Sequence, residues 1–497
     1  MAGQALGVVA AGHPLSAEAG ASVLRAGGNA VDAALGAVLV SCVCEPLLTG
    51  LGAGGYMLVA HPERRAVLLD FFVEAPGRGA TAAEPADLVP VEVSFGDAVQ
   101  VFNIGVASVG TYGVARGVCE ASQRFGRMSL SDLVAPAVKL AREGVELSPG
   151  QAYVAQVLAS IITSTEEARA LFAPEGALLR AGQRMRQPEL AVTLERLGAE
   201  GPEPFYTGDI AAAIADWIGQ RGGMLTREDL AAYAVVDRDP IHVRYRDHDV
   251  LTNPPPSAGG ILIARALQLL DGDPAPPTVE AIVAAMERIQ RERTPEFLDG
   301  LYDPEFSARF LGRGGRLGST THIAVLDDEG WACSVTCSNG SCSGVVVPGT
   351  GVHLNNMLGE QDLNPLGFHR YEPGRRLPSM MAPTVVLHDG VPRLVLGSAG
   401  SNRIRSAILQ TIIRVLDEGL SAPEAVAAPR VHYEDGLIYL EPGIEHGSLA
   451  RAGAQTAQFR NRNLFFGGVQ AVERDRAGQL RGAGDPRRGG AAVLVQR

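Results

Sequence analysis

Leu317-Gly318-Ser319-Thr320-Thr321-His322 is the stretch on which the fold turns. A hydroxyl at its ordinary pKa is a weak nucleophile and needs a base within hydrogen-bond reach. No Gly-x-Ser-x-Gly elbow with suitable partners stands out in the chain. An N-terminal threonine meets the need differently, because its own α-amine, with a pKa of about 7.7–8.0, can act as the base. Inside a continuous chain that nitrogen is an amide and is not basic. Scission between Ser319 and Thr320 creates nucleophile and base together, and Gly318 lets the backbone bend as the hydroxyl meets the preceding carbonyl. Taken alone, the same run before an apolar strand reads as an ordinary strand edge.

Outward from this point the texture changes. On the C-terminal side, His322 to Leu326 and Trp331 to Thr336 read as strands joined by an Asp327-Asp328-Glu329-Gly330 turn. Val345 to Val347, Pro383 to His388, Pro392 to Leu396 and Ile438 to Glu441 add strands, and Arg403 to Leu416 a helix. On the N-terminal side helices dominate. Ser16 to Ala26 is expected as a helix with Ser16 as N-cap, and Asn29 to Val43 as a largely buried helix closed by Glu45-Pro46. Leu130 to Glu143, Glu189 to Leu197, Asp209 to Gln220 and Ser257 to Leu270 follow as helices, and about Ala275 to Gly318 as a surface helix with a flexible lead-in. Strand-rich and helix-rich parts in one chain point to stacked sheets covered by helices.

Composition fits a globular protein with a large core: 497 residues, 46% hydrophobic and 20% charged, with 60 glycines. The net charge of -12 and the lack of any basic block beyond pairs such as Arg487-Arg488 argue against a nucleic-acid partner. No charged lead followed by a long apolar stretch opens the chain, and Ala33 to Val43 is too short to span a bilayer, so a cytoplasmic protein with no membrane partner is expected.

Three other signals read weakly. Gly50 to Gly55 fits the dinucleotide pattern G-x-G-x-x-G, yet it follows a helix and opens the strand from Tyr56, the reverse of the required order. The ten histidines form no H-x3-H or H-E-x-x-H pair, and Cys333, Cys337 and Cys342 lack a nearby histidine pair. No metal and no cofactor are expected. His322 could tune a neighbouring nucleophile or be a hydrogen-bonded strand histidine.

The motifs together resemble the gamma-glutamyltransferase family of N-terminal-nucleophile hydrolases. The resemblance spans nearly the whole chain: Ala11 to Ser16, Gly27 to Ala33, Gly50 to Met57, Asp70-Phe71, Ala75-Pro76, Pro255 to Gly260, Leu317 to His322, His353-Leu354-Asn355-Asn356, Pro383-Thr384 and Gly397 to Gly400. It implies a four-layer αββα sandwich of the α+β class, made of a large subunit, 1–319, and a small subunit, 320–497, cut from one chain as a heterodimer. Thr320 would attack a γ-glutamyl amide and pass the acyl group to water or an amine. Ser338 falls where the family supports the nucleophile, and Gly400 on the first of two oxyanion glycines, with Ser401 on the second. Ser379 falls on one of two carboxylate-holding serines, Met380 on the other. Glu360 falls where an aspartate reads the substrate amino group, and Asn355 in the downstream substrate loop.

The departures define the substrate question. The family's carboxylate-binding arginine is Phe72 here, and an asparagine that holds the glutamate head is Gly340. Thr111-Tyr112-Gly113 stands in place of Val-Pro-Gly. An arginine fork grips a carboxylate through two charge-assisted bonds, and a phenyl ring offers none. Arg78 or Arg405 would then have to supply the charge. Otherwise the small-molecule substrate carries a less polar acyl group, as in cephalosporin acylases or a natural-product pathway. A third expectation is an unprocessed relative that only binds.

Overall fold

The computed structural model describes residues 5–80, 85–94, 99–303, 306, 310, 320–364, 367–445, 449 and 454–497. Ser319 and the residues before it from 311 lie outside them; Thr320 lies within.

Seven strands form one sheet in the spatial order Ala491–Gln496, Ala5–Ala11, Thr321–Asp327, Ala332–Ser338, Gly54–His61, Arg64–Phe71, Val236–Arg238. All neighbours run antiparallel. A six-stranded antiparallel sheet runs Leu480–Ala483, Gly468–Arg474, Val391–Ala399, Thr384–His388, His248–Thr252, Ile241–Tyr245. The Thr321–Asp327 strand lies over Val391–Ala399 and Gly468–Arg474 of the second sheet.

Side chains alternate along a strand, and the core follows that period. Ala324 and Leu326, like Tyr56, Leu58 and Ala60 two strands away, pack with Val395, Leu396 and Val469 of the other sheet. Ile323 and Val325, with Met57 and Val59, pack with Val31, Leu35 and Val38 of the helix Ala30–Cys44. Beyond the second sheet, Ile261, Met286 and Ile408 bring in the helices Ala258–Leu270, Val279–Arg291 and Arg403–Leu416.

The helix Ala30–Cys44 is buried along its whole length. Asn29 Oδ1 accepts from Val31 N at 2.9 Å and Asp32 N at 3.0 Å, while Asp32 Oδ2 accepts from Asn29 N at 3.0 Å. This reciprocal box satisfies amides that no helical carbonyl can reach. The first helix begins earlier than its sequence suggests. It spans Pro14–Arg25, with His13 Nδ1 as the capping acceptor from Leu15 N and Ser16 buried inside the first turn. Proline at the first helical position, where no amide donor is needed, explains the shift. The helix Val279–Arg291 is half-sunk rather than superficial, with Ile282, Val283, Met286 and Ile289 in the core. The strands Ala5–Ala11 and His248–Thr252 carry no clean alternation because they are nearly buried on both faces.

Among the described residues, no helix is long and apolar enough to cross a membrane. The six cysteines are free thiols, five of them buried.

Candidate active site

Register builds the site. Thr321 pairs with Cys337 and His322 with Thr336. Ser338 pairs with Gly54 and Thr336 with Tyr56. Gly55 pairs with Phe71 and Tyr56 with Asp70. One residue further toward the strand ends, Thr320 faces Ser338 and Phe72 faces Gly54. Thr320, Ser338, Gly54 and Phe72 therefore form a cross-strand row on the face that looks toward the second sheet. His322, Thr336, Tyr56 and Asp70 form the row behind it. Three strand spacings put the Phe72 backbone roughly 14 Å from that of Thr320. Between them Gly54 presents no side chain.

Thr320 is 2% exposed, and its Oγ1 has no hydrogen-bond partner among the described residues. The neighbouring Thr321 points to the opposite face, where its hydroxyl donates to Glu45 Oε1 at 3.3 Å. Burial pushes the Glu45 carboxyl up to about 7, against the opposing pull of that hydroxyl and of Arg488. Glu45 Oε2 is buried with no partner among the described residues. His322 sits inside the sheets with Nδ1 2.9 Å from Thr336 Oγ1 and Nε2 3.4 Å from Ser334 Oγ. Burial pulls its pKa down to about 3, so the ring is neutral at pH 7.

A second group gathers beyond Ser338. Ser338 Oγ accepts from Gly340 N at 2.8 Å. Glu360 Oε1 accepts from Ser341 N at 2.8 Å and Ser341 Oγ at 3.1 Å, and Asn356 Nδ2 donates to Ser341 Oγ at 2.8 Å. Gly340 has φ +67, and a β-carbon there would stand 2.1 Å from Asn356 Oδ1 and 2.8 Å from Glu360 Oε1. The carboxylate and the Asn356 carbonyl thus crowd the position where the resemblance led one to expect an asparagine. Asn355 is fully engaged with backbone: its Nδ2 donates to Gly52 O and Gly110 O, and its Oδ1 accepts from Gly110 N and Met357 N. It ties the downstream loop to the glycine loop, whose Gly52 lies so close to His353 O that a β-carbon would sit 2.5 Å away.

Ser379 Oγ donates to Ser257 Oγ at 3.1 Å and accepts from Met381 N at 3.1 Å. Met380 is fully buried in the core shared with Tyr56 and Phe72. Gly400, at φ +123, and Ser401, at φ +57, lead into the helix Arg403–Leu416. A non-glycine residue in the left-handed region is uncommon and marks Ser401 as held by its surroundings.

The Phe72 ring stacks on Tyr56 with centroids 5.3 Å apart. Its carbonyl accepts from Tyr233 OH at 2.7 Å and from Arg376. Arg376 is the guanidinium at this point, and sequence reading passed over it. It is committed to Tyr233 OH, Ala234 O and the carboxylates of Asp70 and Glu74. The two arginines expected to replace the lost charge are also engaged elsewhere. Arg78 pairs with Glu74 at 3.1 Å. Arg405 bonds Asn402 O and Gln290 Oε1 in the helical layer.

Two more residues escaped sequence reading. Glu45 looked like a helix stop, and Arg488 like half of a short basic pair. Arg488 Nη2 donates to Leu464 O at 3.3 Å, while its Nε is buried without an acceptor among the described residues. A β-carbon on Gly400 would lie 3.4 Å from Arg488 Nη2.

Asp247, His248 and His388 form the one group among the described residues whose ligand atoms come within 4.8 Å of one another. It lies on hairpin turns of the second sheet, and Arg393 Nη1 stands 2.5 Å from His248 Nε2. Asp247 lies 2.6 Å from Nδ1 without hydrogen-bond geometry, and the guanidinium against Nε2 disfavours a second cation there.

Comparison with known proteins adds the chemistry. The Gamma-glutamyltranspeptidase family model matches residues 16–311 and 284–495. The chain is 31% identical over 530 residues to the glutathione hydrolase proenzyme of Escherichia coli (strain K12), covering 97% of this chain and 90% of that one. It is 30% identical over 523 residues to the acylase ACY 1 proenzyme of Pseudomonas sp. (strain V22), covering 98% and 93%. The crystal structure of cephalosporin acylase from Bacillus halodurans superposes with a TM-score of 0.84 at 26% identity, covering 99% of this chain and 96% of that one.

Proposed function

The chain belongs to the gamma-glutamyltranspeptidase family of amidohydrolases and acyltransferases, and from that premise we propose that it cuts itself between Ser319 and Thr320 and then uses Thr320 as its nucleophile. The observation that carries this reading is the buried Thr320 hydroxyl, without a hydrogen-bond partner among the described residues, at the start of a central strand with Ser338 across from it. In the cut, Thr320 Oγ adds to the Ser319 carbonyl carbon. The C–N bond breaks, the amide nitrogen takes the hydroxyl proton, and water then hydrolyses the Ser319 ester. The products are a Ser319 carboxylate and a free Thr320 amine, hence a large subunit 1–319 and a small subunit 320–497. The two facing sheets with helices on their outer sides fit the four-layer αββα sandwich of N-terminal-nucleophile hydrolases.

In turnover, Thr320 Oγ attacks the substrate amide carbon and its proton passes through the α-amine to the leaving nitrogen. The C–N bond breaks, a threonyl ester remains, and water or an acceptor amine releases it. Backbone N–H groups at Gly400 and Ser401 would hold the oxyanion, a contribution of roughly 3–4 kcal/mol per donor to the barrier. Ser338 orients the nucleophile.

The acyl group extends along the row from Thr320 toward Phe72. Glu360 and the Asn356 carbonyl are acceptors suited to an amino group. Phe72 and Met380 give the far end an apolar wall, and the Arg376 guanidinium is engaged by Phe72 O, Tyr233 OH and Ala234 O. We read the acyl group as one with an amine and without a carboxylate beside it. A γ-glutamyl group is the second reading, favoured by Glu360 as the acceptor for its amino group. Anilide substrates that differ by one group separate them: γ-glutamyl, glutaryl and 4-aminobutyryl p-nitroanilides. The first reading expects the 4-aminobutyryl compound to have the highest kcat/KM. A clear preference for γ-glutamyl reverses the order, and no acyl-Thr320 adduct by mass with any donor rejects the mechanism.

A further inference from the structure

The active-site end of the molecule holds a cation, Arg488, that makes no direct ion pair among the described residues, although Asp485 and Glu45 act on it from further away. Arg430 and Arg487, close in sequence or space to Arg488, each have a carboxylate partner: Arg430 pairs with Asp485 at 2.7 Å, and Arg487 pairs with Asp485 and Glu441. Arg488 has no carboxylate within 4 Å among the described residues. Its single hydrogen bond there goes to Leu464 O. A half-buried guanidinium with a buried, unpaired Nε costs stability unless something else uses it.

Its position relative to Thr320 decides what could use it. Ala11 pairs with Ile323 on one side and Ala491 on the other. Ala491 and Ile323 therefore lie level, and the turn carrying Arg488 leaves the sheet at the same end as Thr320. In strand order, Phe72 lies three strands to one side of Thr320, and the Ala491–Gln496 strand lies two strands to the other side. Arg488 Nη2 also stands beside Gly400, the oxyanion glycine in the proposed mechanism. The scissile bond is thus flanked by an aromatic wall on the acyl side and a guanidinium on the amine side.

We propose that Arg488 binds a carboxylate on the amine half of the reaction, on the leaving group or on the acceptor that takes the acyl chain. This deepens the proposed function and rests on it. Arginine suits the task because its planar fork matches a carboxylate with two parallel N–H donors, and among the described residues Nε and Nη1 have no acceptor. With the acceptor held there, its amine attacks the threonyl ester carbon. The new C–N bond forms, the C–O bond to Thr320 breaks, and the amine proton returns to Oγ. The preferred substrate class is then an acylated amino acid or peptide with a free carboxylate, not an acylated neutral amine.

The test uses the self-processed full chain, the best of the three anilides as donor, and two acceptors, glycylglycine and glycylglycinamide. The unmodified protein is expected to show a KM for glycylglycine at least tenfold below that for the amide. Arg488→Gln is expected to bring the two KM values within about twofold, the change falling in KM for the anionic acceptor, and Arg488→Lys to restore part of the gap. Equal KM values in the unmodified protein overturn the proposal even if Arg488→Gln fails to process, and so does a gap that survives in Arg488→Gln. Detection of the acyl-Thr320 adduct by mass in the same samples separates this outcome from failure of the mechanism.

Discussion

The imidazole of His322 lies against Gly397 of the opposing sheet, so close that a β-carbon at 397 would stand 2.4 Å from Cε1 and 2.5 Å from Nδ1. The glycine admits a ring between two sheets. Gly397→Ala should displace His322 from Thr336 and cost about 1–3 kcal/mol by overpacking. A urea midpoint equal to that of the unmodified protein would show that the sheets yield more easily than the contact implies.

His322 also sets an acid limit on stability. Its pKa is about 3 in the fold against 6.5 in an open chain, so between these values the unfolded state binds the extra proton. Stability contributed by the neutral ring is present above pH 6.5 and is lost as pH falls toward 3, with a ceiling on the order of 4 kcal/mol. His322→Gln should flatten that part of the pH profile of urea unfolding. An unchanged slope would assign the acid sensitivity to other groups.

Thr320→Ala should abolish the cut and leave one full-length band on a denaturing gel, whereas Thr320→Ser should still give two. Activity of an intact chain, or processing without any hydroxyl at 320, would remove the N-terminal amine from the mechanism.

Phe72→Arg places a guanidinium at the far end of the row. It should raise the kcat/KM ratio of γ-glutamyl over 4-aminobutyryl anilide by roughly 10- to 100-fold, the worth of about 1.5–3 kcal/mol from charge-assisted bonds. The loss of the Tyr56 stack should lower thermal stability at the same time. A ratio that stays put would mean the acyl chain does not reach position 72.

Much of this layout could be read from the chain before any coordinates. The helix Arg403–Leu416 and the strand after Thr320 follow from local periodicity and stand where expected. The loss of arginine at 72 was visible because the motif around it is intact. The row from Thr320 to Phe72 was not visible, since it depends on strand pairs up to hundreds of residues apart, such as Ser338 with Gly54. Long-range register also hid Glu45, whose partner Thr321 is 276 residues away. A buried arginine such as Arg376, or a half-buried one such as Arg488, looks like any surface arginine until its neighbours are known.

The seven-stranded sheet interleaves the two sides of the expected cut. From its edge inward it takes one strand after residue 320, then Ala5–Ala11 from before it, then the hairpin beginning at Thr321, then three more from before it. Each piece would fill gaps in the other like the teeth of a closed zip. A severed bond would release a chain end but no subunit, and neither piece made separately would have neighbours for all its strands. An uncut chain would thus be the template on which both halves acquire their shape, and denaturation after the proposed cut should be far harder to reverse than before it.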